Sequence, residues 1–246
     1  MSTKQVSPSA SLPSQQRRKA DIQQMFAGIA SRYDCANHFL SGGIDYYWRR
    51  ALVSQVKRCN PTQLVDLATG SGDIALALRK TLPDTCNITG IDFCQPMLAE
   101  AERKQRLRNI HPLIRFIEGD CLNLELPDAS TDTLTIGFGF RNLEDRAAGL
   151  REMQRILRPG GSLFILEFSQ PGKWIRPIYY AYLKYVLPGI ARLVTGKPNA
   201  YHYLCGSIAS FPDRQALSQL IRANGFSKVT AKPLTFGTVA IHHAVK

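Results

Sequence analysis

From residue 63 onward, short apolar runs alternate with longer runs whose apolar residues recur at helical spacing. This alternation limits the fold more than any other feature of the chain. "QLVDLA" (63–68) reads as a strand ended by "TGSG" (69–72), and a helix follows to about Leu82, stopped by Pro83-Asp84. "NITGID" (87–92) is a second strand, and "QPMLAEAERKQRL" is a helix with Pro96 in its first turn, where no backbone donor is needed. "LIRFIEGD" (113–120) and "TDTLTIGFG" (131–139) give a third and a fourth strand. "EDRAAGLREMQRIL" (144–157) is a helix stopped by Pro159-Gly160-Gly161, and "SLFILEF" (162–168) is a fifth strand. A helix over about 213–224, closed by Gly225, precedes "KVTAKPL" and "GTVAIHHAV", two strands expected to pair as a hairpin. Strands joined by helices run parallel and need both faces covered. The pattern therefore predicts an α/β fold: a seven-stranded, mostly parallel sheet with a C-terminal antiparallel hairpin and helices on both faces.

Three segments stand outside this rhythm. The first 16 residues, "MSTKQVSPSASLPSQQ", are rich in Ser, Pro and Gln and are expected to form a disordered tail (1–16). A helical extension follows (17–60), with Ile22, Met25, Phe26 and Ile29, then Leu52, Val53 and Val56, at helical spacing around a turn at Gly42-Gly43. The main domain (61–246) carries a helical insertion at about 173–200. There Trp174, Ile175, Ile178, Tyr179, Tyr182, Leu183, Val186 and Leu187 fall on one face, and Pro188 should kink the helix. Lys173, Arg176, Lys184, Arg192 and Lys197 surround that face. Two readings stay open: a lid packed on its own core, or a helix lying at a membrane interface.

Charge bears on partners. Lys and Arg exceed Asp and Glu by 31 − 19 = 12, which favours anionic partners such as nucleic acid or the negative face of a membrane. The basic clusters at Arg17-Arg18-Lys19, Arg49-Arg50 and "ERKQRLR" (102–108) also read as solvated helix faces. None of the six cysteines (Cys35, Cys59, Cys86, Cys94, Cys121, Cys205) forms a C-x-x-C pair or sits at zinc-ligand spacing from a histidine, so no metal site is expected. There is neither a secretory signal nor an apolar run long enough to cross a membrane. The expectation is a cytoplasmic protein with reduced thiols, with peripheral contact at the inner face of the cytoplasmic membrane left open.

"VDLATGSGD" carries the chemistry. Gly70 and Gly72 open the helix after the first strand and let a ligand approach bare backbone N–H groups. Alone, G-x-G-x-x-A (Gly70, Gly72, Ala75) fits a dinucleotide equally well. Asp92, about 20 residues on at the end of the second strand, can accept both hydroxyls of an adenosine ribose. Asp66, just before the glycines, suits a cationic ligand better than a pyrophosphate, and Asp120-Cys121 ends the third strand where an adenine edge could be read. Each Asp alone could be a cap or a turn residue. Together they fit S-adenosylmethionine, with its sulfonium, ribose diol and adenine.

With these residues the chain resembles class I S-adenosylmethionine-dependent methyltransferases over roughly 63–246, which implies their Rossmann-like fold. It also implies cofactor contacts at Gly70, Ser71, Gly72, Asp92, Asp120 and Cys121. A narrower resemblance rests on "YDCANHFLSGGIDYYW" (33–48), "RILRPGGSLFILEFS" (155–169), "FGFRN", "FPD" (211–213) and the closing "GTVAIHHAVK". These are similar to the ubiquinone/menaquinone biosynthesis C-methyltransferases. The family's pattern has His where this chain has Asp45, Val where it has Ile156, and often Ser at the cofactor-linked position of Gly137.

That resemblance implies methyl transfer to a ring carbon of a demethylated prenyl-quinol. Demethylmenaquinol is favoured, and a benzoquinol of ubiquinone biosynthesis is the alternative. Arg141 and Asn142 are then expected to donate to ring oxygens and stabilise the forming phenolate. Phe138 and Phe140 would wall the ring, and Tyr33 and Asn37 would complete the substrate pocket, with Tyr33 a candidate catalytic group. Asp34, His202 and His243 are further candidates for the base. The insertion would shelter the tail, and weak peripheral association with anionic lipid, lost at high salt, is expected. An RNA or protein N-methyltransferase would also account for the charge. Such enzymes often carry Asn/Asp-Pro-Pro-Tyr where this chain has "GFGFRN", and no RNA-binding domain is visible, so no nucleic-acid partner is expected. Oligomeric state is left open.

Overall fold

The computed structural model describes residues 41–186 and 206–246, together with Gln23 and His38. The expected tail, half of the extension including Tyr33 and Asn37, and 187–200 of the insertion lie outside the described residues, as does His202.

One seven-stranded sheet organises the molecule, in the order β3-β2-β1-β4-β5-β7-β6. Its strands are β1 (Gln63–Leu67), β2 (Asn87–Asp92), β3 (Arg115–Glu118), β4 (Thr131–Gly137), β5 (Leu157–Phe168), β6 (Ser227–Leu234) and β7 (Val239–Val245). The first five pair parallel, and β7 lies antiparallel between β5 and β6. The expected hairpin therefore forms, with its second strand inserted next to β5.

The helices are α1 (Ile44–Lys57), α2 (Asp73–Arg79), α3 (Gln95–Leu107), α4 (Arg146–Ile156), α5 (Arg176–Ala181) and α6 (Arg214–Ala223). Side chains alternate across the strands and build two cores. Leu64, Phe164, Leu166 and Ile241 pack with Trp48, Leu52, Val53 and Val56 of α1 and with Ile74, Leu76 and Leu78 of α2. Val65, Leu67, Leu134, Ile136, Leu163 and Ile165 pack with Leu150, Met153 and Ile156 of α4 and with Leu217 and Ile221 of α6. Capping follows the sequence: Asp145 accepts from Ala148 N–H, and Asp213 accepts from Gln215 and Ala216 N–H.

Two boundaries differ from expectation. Pro159-Gly160-Gly161 does not end a helix, because α4 already stops at Ile156 and β5 begins at Leu157. The register jumps from Thr131↔Leu157 to Thr133↔Ser162, so the Pro-Gly-Gly run bulges out of a strand, with Gly160 at φ 77°. The insertion begins as α5 and runs into a wider helical turn (Tyr182–Val186), and its later residues, from 187 on, lie outside the described residues. Leu183 is buried while Trp174, Ile178 and Tyr185 are exposed. No helix among the described residues is long and apolar enough to cross a membrane.

Candidate active site

The C-terminal ends of β1, β2 and β4 open onto a cleft at the point where the strand order reverses. Five of its lining residues, Gly70, Asp92, Asp120, Cys121 and Gly137, are predicted cofactor residues, and two more, Phe138 and Asn142, are predicted substrate residues.

The loop after β1 is shaped by hydrogen bonds around two carboxylates. Asp66 is a register partner of Thr135 on β4, and its two oxygens accept from the hydroxyls of Thr135 and Thr69, each at 2.6 Å. It is buried and does not line the cleft. Burial pushes its carboxyl up to about 6 against the pull of those hydroxyls. Asp92 does line the cleft, and its oxygens accept from Gly70 N–H at 2.8 Å and Cys94 N–H at 2.9 Å. Burial raises it to about 6 as well, partly offset by those amides. Among the described residues, neither carboxylate has a cation as a hydrogen-bond partner. An ionised carboxylate offers about four acceptor sites, so Asp92 keeps capacity for hydroxyl donors in the cleft.

Gly70 (φ 56°) and Gly72 (φ 80°) hold the loop in the left-handed region, and a Cβ on Gly72 would lie 2.8 Å from that of Ala101 on α3. Ser71 is buried and does not line the cleft. On β3's side, Asp120 Oδ1 accepts from Leu122 N–H at 2.9 Å, and burial pushes the Cys121 thiol up to about 12. Gly137 has a concrete reason to lack a side chain: a Cβ there would lie 2.0 Å from Ile74 Cδ1 of α2.

"TIGFGFRN" divides its residues between cleft and core. Phe138, at φ 56°, contributes to the cleft wall and packs against Trp48 and Phe168, with ring centroids 5.8 and 5.0 Å away. Phe140 is fully buried against Phe211, away from the cleft. Asn142 faces the cleft. Arg141 does not. Its Nη1 donates to Glu167 Oε1 at 2.9 Å and to the Phe138 carbonyl, its backbone N–H donates to Glu167 Oε2 at 3.1 Å, and its guanidinium lies over Phe168. The guanidinium braces the turn from beneath.

Several cleft residues carried no sequence signal that was used: Phe93 and Met97 beyond Asp92, and Leu122, Leu143 and Glu144. Glu167 had one, since a lone acid inside "SLFILEF" must be buried and paired. Of the two histidine candidates for the base, His243 stacks on Phe164 and does not line the cleft, and His202 lies outside the described residues.

Asp45, the departure from the family's histidine, is buried and fully engaged. It binds His38 Nδ1 at 2.7 Å, the Ser41 hydroxyl at 2.8 Å and Arg49 at 3.1 Å. Arg49 continues to Asp73 at 2.7 Å, and Asp73 also binds Lys104 at 2.7 Å. The acid thus ties the extension to α1, to the first turn of α2 and to α3. Gln23 adds a second tie at the cleft's edge, donating to the Phe93 carbonyl at 2.9 Å.

The model of the ubiE/COQ5 methyltransferase family matches residues 14–246. Proteins named demethylmenaquinone methyltransferase from Deinococcus radiodurans and Thermus thermophilus are each 44% identical to this chain. The matches cover 88% of this chain and 88% of the first protein, and 89% of this chain and 98% of the second. Among solved structures, the [4+2]-cyclase SpnF has a TM-score of 0.65 at 17% identity, over 92% of this chain and 94% of its own. A SAM-dependent methyltransferase from Aquifex aeolicus has a TM-score of 0.55 at 16% identity, over 75% and 81%. These structures share the fold. That one of them is a cyclase shows why chemistry has to be argued from the site.

Proposed function

This chain belongs to the ubiE/COQ5 methyltransferase family, and on that premise we propose that it methylates a ring carbon of a demethylated prenyl-quinol. Demethylmenaquinol is the acceptor of first choice, in menaquinone biosynthesis, and S-adenosylmethionine is the methyl donor. When bound, S-adenosylmethionine supplies an electrophilic sulfonium methyl. The observation that carries the reading is Asp92: a buried carboxylate at the cleft, fixed by two backbone amides, with acceptor sites left for a ribose diol. Gly70 bares its backbone beside it, and Asp120 and Cys121 frame the adenine end. Asp66 acts from below, holding β1, β4 and Thr69 in place.

Apart from the residues read as cofactor contacts, the cleft presents the apolar side chains of Ala68, Met97, Leu122, Phe138 and Leu143, with Asn142 and Glu144 beside them. Such a wall excludes water and orients a flat ring, and Asn142 would donate to a ring oxygen as negative charge develops there. Arg141 contributes through the turn, because its bonds to Glu167 and Phe138 set where Phe138 and Asn142 stand. Tyr33 and Asn37 complete the pocket in this reading. The chain also associates weakly with anionic lipid, where a prenyl-quinol resides, and its +12 charge supports this.

The test is transfer of label from S-adenosylmethionine to reduced demethylmenaquinol, to a demethylated benzoquinol and to bulk RNA, assayed separately. Label in the naphthoquinol is expected. Label in the benzoquinol alone keeps the chemistry and changes the acceptor, whereas label only in RNA overturns the reading.

A further inference from the structure

A second, open cavity shares no lining residue with the cleft. Three segments far apart in sequence meet around it: the start of the insertion, the turn between β6 and β7, and the first residues of α6. Lys173, Arg176 and Arg214 line it. Among the described residues none of the three makes an ion pair. The one acid in the lining, Asp213, caps α6 through Oδ1 and leaves the lining with a net positive charge.

The rim is aromatic and exposed. Trp174 is 71% exposed, Ile178 69% and Phe236 66%. Trp174 meets Phe236 edge-on, with ring centroids 5.6 Å apart. Phe236 is held outward by an unfavourable backbone, since Thr235 (φ 43°) and Phe236 (φ 56°) are consecutive left-handed residues, one of them β-branched. The surroundings enforce that turn: Trp48 Nε1 donates to Thr235 Oγ1 at 2.7 Å, Thr238 N–H to the Thr235 carbonyl at 3.1 Å, and Gly172 N–H to the Phe236 carbonyl at 3.3 Å. The fold thus fixes a large apolar ring in solvent beside three cations and one carboxylate, a net positive lining in which none of the three cations makes an ion pair among the described residues.

We propose that this surface docks on an anionic phospholipid bilayer: Lys173, Arg176 and Arg214 take phosphodiester headgroups, while Trp174, Phe236 and Ile178 enter the interfacial layer. The proposal deepens the lipid-association part of the functional reading and names its surface, but it does not depend on methyl transfer. Charge complementarity selects the partner, and the rim selects a bilayer over a soluble phosphate, which offers nothing for three exposed apolar side chains to enter. Placing the surface away from the cleft would leave the cleft open to a quinol drawn from the same membrane.

The chain supplies its own probe. It has two tryptophans, and Trp48 is buried while Trp174 is exposed. In the unmodified protein, Trp174 emission should shift to shorter wavelength with vesicles of 3:1 phosphatidylcholine:phosphatidylglycerol, and brominated acyl chains should quench it. Phosphatidylcholine alone should do neither. Trp174→Ser with Phe236→Ser, and separately Lys173→Glu with Arg176→Glu and Arg214→Glu, should each lower co-sedimentation with the anionic vesicles at least tenfold. Turnover of a short-tailed, water-soluble acceptor should stay at the unmodified level in both variants, which also shows that they fold. Unquenched Trp174, or variants that sediment like the unmodified protein, would overturn the proposal. So would a fall in gel-filtration mass on replacing the aromatic pair, because the rim would then be an interface between copies. If the unmodified protein methylates no quinol and the vesicle pattern still holds, the functional reading fails and the docking surface stands.

Discussion

Asp92 and Asp73 lie on successive β-α units, and their surroundings push their carboxyls in opposite directions. Burial raises both. At Asp73, Arg49 and Lys104 outweigh burial and hold the group below the usual carboxylate range. At Asp92 only backbone amides oppose it, and the group rises to about 6. The difference separates two uses of an acid. A carboxylate closed by two cations is a joint, here between α1, α2 and α3. One fixed by amides, with acceptor sites left over and no cation, is a receptor for a ligand's own polar hydrogens.

The largest test of this contrast removes each acid in turn. Asp92→Ala should weaken S-adenosylmethionine binding by roughly a hundredfold or more, since hydrogen bonds to a charged acceptor are each worth about 1.5–3 kcal/mol. Asp73→Ala should leave affinity within a few-fold and lower the melting temperature instead. Titration calorimetry and thermal unfolding on both variants decide it, and equal losses of affinity would erase the distinction.

Arg141 extends the comparison to the acceptor side, where the buried pair with Glu167 is a joint of the Asp73 kind. Arg141→Ala strands a buried carboxylate and should cost about 3–5 kcal/mol of stability. Arg141→Met with Glu167→Gln should recover much of that loss in a denaturant titration, while turnover stays low because the turn has lost its brace. In both variants cofactor affinity should change far less than turnover.

Gly137 tests the packing beneath the cleft. Gly137→Ser places a Cβ against Ile74 Cδ1 and should cost about 1–3 kcal/mol. Ile74→Val removes that atom and should restore most of the stability, as read by melting temperature.

The smallest effect is on pH. With Asp92 raised to about 6, cofactor affinity should fall about tenfold between pH 7 and pH 5, because only the ionised carboxylate accepts both hydroxyls. The stability of the free protein runs the other way. The raised carboxyls of Asp66 and Asp92 contribute stability that is full below the ordinary carboxylate range and is lost as pH rises through about 6. Binding should therefore release protons near pH 6, which calorimetry in buffers of different ionisation enthalpy measures directly. A flat affinity from pH 5 to 7 would show that Asp92 does not face the ligand.

The strands, their order of use and the glycine turn were legible because period-2 and period-3.6 patterns and glycine are local signals. Asp92 was legible for the same reason, since an acid that ends an otherwise apolar strand ahead of a helix is a local signal. Arg141 was not. Its neighbours Phe138 and Asn142 reach the cleft, but the direction of its own side chain depends on Glu167, 26 residues away on β5. The Pro-Gly-Gly run misled in a similar way, because the same residues that end helices also form a bulge when β4 is there to pair on either side of them.

By itself, then, the sequence determined the alternation of elements, the sheet's class, the glycine-lined loop and which acids stand at strand ends, because each follows from steric or hydrophobic preferences acting within a few residues. Tertiary structure alone decided which of those acids meets a cation. Asp73 and Glu167 find theirs on other elements, Asp45 finds Arg49 one turn along its own helix, Asp66 finds hydroxyls, and Asp92 is left to the cleft. A charge's worth depends on dielectric and partners over a few ångströms of space, and distance along the chain carries no record of either.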